Sequence, residues 1–592
     1  MTVNEKIAIL RGEMAKANVD ALVVPTSDPH MSEYIPEAWK ARKEFSGFTG
    51  SAGTLVITKE ESGLWTDGRY FIQAENQLSG SEIKLFRMRE KGVPTVEEYL
   101  ADTQAGKTIA VDGSIYPAAS GLSLQEKLEK VGASLVSMDL VMPVWENRPA
   151  LPHTPAFVLG AAYAGLTPAE KLVQVREKLA EKEADAQLYS TLDCANWLSN
   201  VRASDIAYNP FATSYVLVLK DEARLYLDED RLSAEDAASL KETFVLRPYD
   251  ALTEDLEGDL GGAKMLVNKA RISYENLLRL MKNSTVSVVY GEDVVTALKG
   301  VKNPVELKNI RQAHVWDGVA LANFWVKLQK KLEAGETVSE YDVCVMLSAE
   351  RAKMPENKGD SFDTIAGYGP NAAMMHYGPT AEKSDVLQKK GFLLIDSGGQ
   401  YLTGTTDVTR TFAMGPITEE EKTDFTRVLK SHIQLAMAVF PEGTKDGMLD
   451  CLARQQVWKY GLDYRCGTGH GVGFFAGVHE GPQNFSQRSS SVLKEGMTIT
   501  NEPGLYMEGK YGIRTENMLE VVFWKETEYG RFLKLEPLTL FPIDRNAIDV
   551  NLMTWEEIEY LDQYHQRVYN ALAPHVEEET RSWLEEACRP LA

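Results

Sequence analysis

Cysteine is scarce in this chain: Cys194, Cys344, Cys451, Cys466 and Cys588 are the five among 592 residues. Their odd number and scattered spacing fit neither a disulfide framework nor a zinc ribbon. A reducing cytoplasm is therefore expected, with each thiol acting as a small buried hydrophobe. Long apolar runs are missing too, since nothing approaches the roughly 18 residues of a membrane helix. The start, Met1 to Lys16, mixes acids with bases and reads against a signal peptide. Basic residues are in deficit, 63 against 86 acidic ones, and the net charge of −23 argues against a nucleic-acid or anionic-membrane surface. What is left is an ordinary soluble composition in a chain too long for one hydrophobic core, so three or four domains are expected.

The first half reads as a diverged duplication. Glu5 to Val24 gives an amphipathic helix, a turn at Asn18-Val19-Asp20 and an apolar strand, Ala21 to Val24. Lys171 to Tyr189 repeats the plan, with its strand at Ala186 to Tyr189. Phe48 to Arg69 and Phe211 to Arg231 each add two further apolar strands. Similar order and spacing point to two copies of one α/β domain. Four prolines between Pro143 and Pro155 mark a linker. The next boundary is Lys302-Asn303-Pro304, where Asn303 is suited to cap a helix running from Val305 to Leu332.

A second repeat, after that helix, carries the chemistry. Gly391 to Arg410 and Gly496 to Glu516 each read as an apolar strand ending in an acid (Asp396, Glu502), then glycine, tyrosine and a second glycine. A return strand then brings another acid (Asp407, Glu516). Two β-hairpins are expected, each offering two carboxylates on opposed residues about 5 Å apart. Between them lies His470, in the glycine-rich run Cys466 to Phe474, where alternating glycines permit close backbone approach. Four carboxylates meeting at one place repel each other unless cations lie between them. Two hard divalent ions, and hydrolysis, are the expectation. His479, in Val478-His479-Glu480-Gly481-Pro482, and His376, in Met375-His376-Tyr377-Gly378-Pro379, are either loop histidines or donors to an oxyanion and a leaving group.

The strings holding Asp396, Asp407, His470, Glu502 and Glu516 resemble the metallopeptidase family with the pita-bread fold, five ligands in the same order. The runs Gly467 to Gly473, Val478 to Pro482 and His376 to Pro379 look like its Xaa-Pro aminopeptidase branch. Trp65 to Phe71 and Gly47 to Gly53 match the long, three-domain form. The resemblance implies an α/β (α+β) chain: a creatinase-like domain at 1–155, a second at 156–300, and a pita-bread catalytic domain with a C-terminal helical extension at 301–592. It implies two metal ions, manganese in most relatives, with cobalt, iron or zinc also compatible. Asp396, Asp407 and Glu516 would hold one ion and His470 and Glu502 complete the other, with Asp396 and Glu516 shared. Arg514 would orient a shared carboxylate.

The reaction so implied removes the N-terminal residue of a peptide with proline second, by attack of a hydroxide bridging the two metals. Glu502 would take the proton, His479 stabilise the oxyanion, and His376 and Arg69 contact the peptide, Arg69 from the N-terminal domain of a partner subunit. Homodimers are usual in the family, and the helix from Trp555 to Leu572 has an apolar face. An Xaa-Pro dipeptidase on the same fold is the near alternative, disfavoured by the two N-terminal domains. A non-catalytic peptide-binding scaffold is the distant one, disfavoured by a full set of ligands.

Overall fold

The computed structural model describes residues 1–591, which divide into two units. The N-terminal unit comprises Met1–Leu159, Leu166–Ala207 and Phe211–Val295; the other runs from Thr296 to the C-terminus and takes in Gly160–Gly165 and Tyr208–Pro210.

The N-terminal unit is built twice on one plan. Its first sheet has strands β1 (Ala21–Pro25), β2 (Thr54–Thr58), β3 (Ser62–Thr66), β4 (Ile83–Arg87), β5 (Thr108–Val111) and β6 (Ser134–Ser137), in the order β4-β3-β2-β1-β5-β6. The second has β7 (Ala186–Tyr189), β8 (Tyr215–Val218), β9 (Ala223–Tyr226), β10 (Val245–Arg247), β11 (Ala263–Val267) and β12 (Val286–Tyr290), in the order β10-β9-β8-β7-β11-β12. Matching neighbours pair in the same sense throughout, antiparallel through the central hairpins and parallel toward both edges. The duplication read from the sequence is therefore one of topology as well as of pattern. Each copy opens with a helix closed by a capping box, Thr2 with Glu5 and Thr167 with Glu170. Apolar residues three or four apart (Ile7, Leu10, Met14; Leu172, Val175, Leu179) bury one stripe of each helix.

The other unit begins with a helix at Pro304–Glu333, where the Asn303 side chain accepts from the N–H groups of Val305 and Glu306 at 3.0 Å. Three antiparallel strands, Ile365–Tyr368, Phe392–Ser397 and Val408–Ala413, form one sheet. Val439–Pro441, Gly530–Pro537, Asn517–Thr527 and Thr498–Asn501 form another, in that order. The helix Trp555–Leu572 buries Leu561, Tyr564, Val568 and Leu572 in a core with Phe425, Ile513 and Ile543. Its apolar face is thus spent within the chain and says nothing about a dimer. The thiols also depart from expectation: Cys194 and Cys588 are buried, but Cys451 is exposed on its helix.

On the helix Trp555–Leu572, His565 accepts the Ile543 N–H on Nε2 at 3.1 Å, which fixes the ring neutral. Burial, with help from the Arg410 and Arg545 guanidiniums, pushes its pKa down to about 3. Unfolded histidine takes up a proton near pH 6.5, so this contribution to stability is complete above that pH and is lost as pH falls toward 3. Between pH 7.5 and 5.0, wild-type protein should lose about 2 kcal/mol more stability than His565→Asn. Urea midpoints at both pH values measure it, and parallel losses would contradict the assignment.

Candidate metal centre

Two hairpins deliver the four acids, with a register that differs between them. In the first, Asp396 lies inside its strand, opposite Thr409, and Asp407 immediately precedes the return strand. Short strands Gly399–Tyr401 and Gly404–Thr405 close the tip. In the second, Thr498–Asn501 pairs with Asn517–Thr527, the strand after Glu516, just as Phe392–Ser397 pairs with the strand after Asp407. Tyr511–Arg514 pairs with Gly504–Met507 as the tip. Glu502 and Glu516 flank the Asn501–Asn517 pair, so the acids sit at strand ends. His470 reaches them from a two-residue strand, Gly469–His470. A Cβ at Gly469 would stand 1.9 Å from the Thr500 carbonyl oxygen, and one at Gly471 would stand 2.0 Å from that of Glu480. The alternating glycines therefore serve backbone packing that brings His470 to the acids.

Ligand atoms of Asp407, His470 and Glu516 all lie within 4.8 Å of one another. His470 Nε2 is 3.5 Å from Asp407 Oδ2 and 3.3 Å from Glu502 Oε1. Its Nδ1 is 3.0 Å from the Gly471 carbonyl, to which it donates, so Nε2 turns a lone pair toward two carboxylates. Burial, with His479 beside it, holds the ring pKa well below the usual histidine value, so protonation does not relieve the contact. Burial and mutual repulsion also drive Asp407 and Glu516 well above the ordinary carboxylate range. Glu502 is pushed up to about 7 by burial, with Asp396 adding and Arg514 and His479 opposing. Asp396 Oδ1 is buried without a hydrogen-bond partner. Lone pairs facing lone pairs in a buried oxygen-rich cluster are what divalent cations resolve, and these residues fit such ions.

Around these candidate ligands lies a shell of groups that orient them. Arg514 donates from Nη2 to Asp396 Oδ2 at 2.5 Å, from Nη1 to Tyr506 Oη at 2.7 Å and from Nε to Thr409 Oγ1 at 3.0 Å. Thr409 in turn donates to Glu516 Oε2 at 2.6 Å. Thr500 accepts from the His470 N–H at 3.0 Å and donates to Glu502 Oε1 at 3.2 Å. Sequence reasoning found Arg514 but missed both threonines. The signal was available: each is two residues from a candidate ligand, Asp407 or Glu502, and so on the same face of extended chain. Thr409→Val keeps the shape and removes the link to Glu516. Metal affinity should fall by about 10–100-fold, as for other outer-shell partners. Manganese titration of stripped protein measures it, and wild-type affinity in the variant would contradict the role.

His479 is exposed, its ring edge-on to His470 with centroids 4.2 Å apart. His376 is exposed on the segment after the 3-10 turn Gly369–Ala373. Arg69 belongs to the N-terminal unit, where its guanidinium donates to Asp67 from Nε and Nη2, each at 2.8 Å.

Comparison with known proteins covers the whole chain. Residues 308–522 match Metallopeptidase family M24 and residues 531–591 match the C-terminal region of peptidase M24. Residues 6–143 and 147–306 each match a Creatinase/Prolidase N-terminal domain. The chain is 39% identical to the probable Xaa-Pro aminopeptidase P of Laccaria bicolor, over all of this chain and 94% of that protein. It is 37% identical to Aminopeptidase P2 of Arabidopsis thaliana, over all of this chain and 89% of that one. The solved X-prolyl aminopeptidase of Caenorhabditis elegans, described as a cytosolic enzyme with a di-nuclear active site, is similar over all of both chains, with TM-score 0.93 and 34% identity.

Proposed function

The chain belongs to metallopeptidase family M24, with the Xaa-Pro aminopeptidases P, and we propose that it releases the N-terminal residue from peptides whose second residue is proline. The observation that carries this reading is the neutral His470 ring, its Nε2 lone pair facing Asp407 and Glu502 beside Glu516. Two divalent ions, manganese by family habit, are assigned to the five ligands. With Asp407 close to both His470 and Glu516, and Asp396 Oδ2 engaged by Arg514, the shared carboxylates are taken as Asp407 and Glu516 in place of the Asp396 and Glu516 that the resemblance implied. Asp396 then serves one ion, and His470 and Glu502 the other. Bound there, the ions would supply Lewis acidity, acidifying water and polarising the scissile carbonyl.

The remaining steps are assigned to side chains. Glu502 accepts and passes on a proton. His479 donates to the developing oxyanion. Asp407 meets the free α-amine, which confines cleavage to the first residue. Proline has no amide N–H and a fixed ring, so its site needs shape rather than a hydrogen-bond partner. His376 is placed against that ring, and Arg69 against the peptide from a second copy of the chain in a homodimer. Domain limits of 1–155, 156–300 and 301–592 are supported by the spans matched above. A cytoplasmic location follows the Caenorhabditis elegans relative.

A tripeptide and a dipeptide test the reading. Manganese-loaded protein should release arginine from Arg-Pro-Pro and leave Arg-Pro much less affected. Cleavage of Arg-Pro alone would make the protein a dipeptidase, and cleavage of neither would sink both.

A further inference from the structure

Glu340 opens the helix Glu340–Arg351 and is completely buried, yet no cation pairs with its carboxylate among its hydrogen-bond partners. Neutral donors surround it instead. Oε1 accepts from the Tyr368 N–H at 2.7 Å and Asn371 Nδ2 at 3.0 Å. Oε2 accepts from Tyr377 Oη at 2.8 Å and the Asp385 N–H at 2.7 Å. The Glu340 N–H closes the set by donating to the Asp385 carbonyl at 2.9 Å. Every one of these donors lies between residues 368 and 385, the segment that carries His376.

Such a gathering costs a buried charge, which is stable only while its acceptor positions stay filled. His376 itself is exposed, whereas the adjoining Tyr377 is buried and ends on Glu340. We propose that Glu340 is a positioning residue for substrate recognition: by fixing Tyr368, Asn371, Tyr377 and Asp385 it sets where His376 stands. The proposal rests on the reading that His376 meets the substrate. A misplacement of about 1 Å in such a contact costs on the order of 100-fold in rate.

The test uses full-length, manganese-loaded protein and Arg-Pro-Pro. Glu340→Gln turns one acceptor into a donor facing other donors, and Tyr377→Phe removes one bond while keeping the ring. Both should lower kcat/KM tenfold or more at unchanged metal content. In a His376→Ala background, the same changes should cost less than about twofold, because coupled residues are not additive. A purely structural role would give equal losses with and without His376, and that result overturns the proposal. So does wild-type kcat/KM in Tyr377→Phe, which also decides the matter should Glu340→Gln fail to fold. Wild-type protein inert toward the peptide defeats the peptidase reading itself, and this inference with it.

Discussion

Asp407→Asn should fold normally and lose essentially all peptidase activity. The side chain is buried, so the isosteric amide keeps its packing. What changes is charge and donor capacity: one oxygen becomes an NH₂ that cannot ligate a cation. As the carboxylate taken to serve both ions, Asp407 affects two sites at once. Lewis-acid stabilisation of a transition state is worth several kcal/mol, or about 10³-fold or more in rate. Asp396→Asn, which touches one ion, should retain more metal per chain than Asp407→Asn. Metal analysis of both variants beside kcat/KM checks this. Full metal content in Asp407→Asn would refute the shared assignment, and full activity would refute the ligand.

The second large effect is on stability, from Asp317→Asn. Arg351 is buried and meets Asp317 through Nε at 2.8 Å and Nη2 at 3.2 Å. Asp317 also accepts from Tyr401 Oη at 2.9 Å, and Arg351 donates to Ser397 Oγ at 3.1 Å. The pair thereby ties the helices Pro304–Glu333 and Glu340–Arg351 to the hairpin that bears Asp396. Removing the negative partner leaves a guanidinium buried and uncompensated, which typically costs about 3–5 kcal/mol. The urea midpoint should fall accordingly, with metal ligands untouched. A loss under about 1 kcal/mol, the size expected of an exposed pair, would mean that water reaches Arg351.

The helix at Pro304 and the doubled N-terminal plan were legible because local rules fix them: a capping Asn303, Pro304 in the first turn, and apolar residues at helical or strand spacing. The four carboxylates were legible as candidate ligands because acids set against apolar strands have few structural uses, and His470 because of the glycines on either side of it. The opposed acids expected of each hairpin are found in the second, where Glu502 and Glu516 follow directly on the Asn501–Asn517 pair, and not in the first, where Asp396 faces Thr409. Asp396 lies inside its ladder and Glu502 just past the end of its own, a difference of register that the apolar spacing alone does not encode. Thr409 and Thr500 escaped notice because a strand threonine is ordinary until its hydroxyl is seen on a ligand. Glu340 escaped for a related reason: its four partners come from a segment 28 to 45 residues away, a proximity that no local pattern encodes.

The peptidase account stands or falls on metal-dependent release of arginine from Arg-Pro-Pro. Protein stripped of metal should release none. Restoring manganese should return activity as occupancy rises to two ions per chain. Arginine released at full rate by stripped protein, or no release by protein holding two ions, would contradict it.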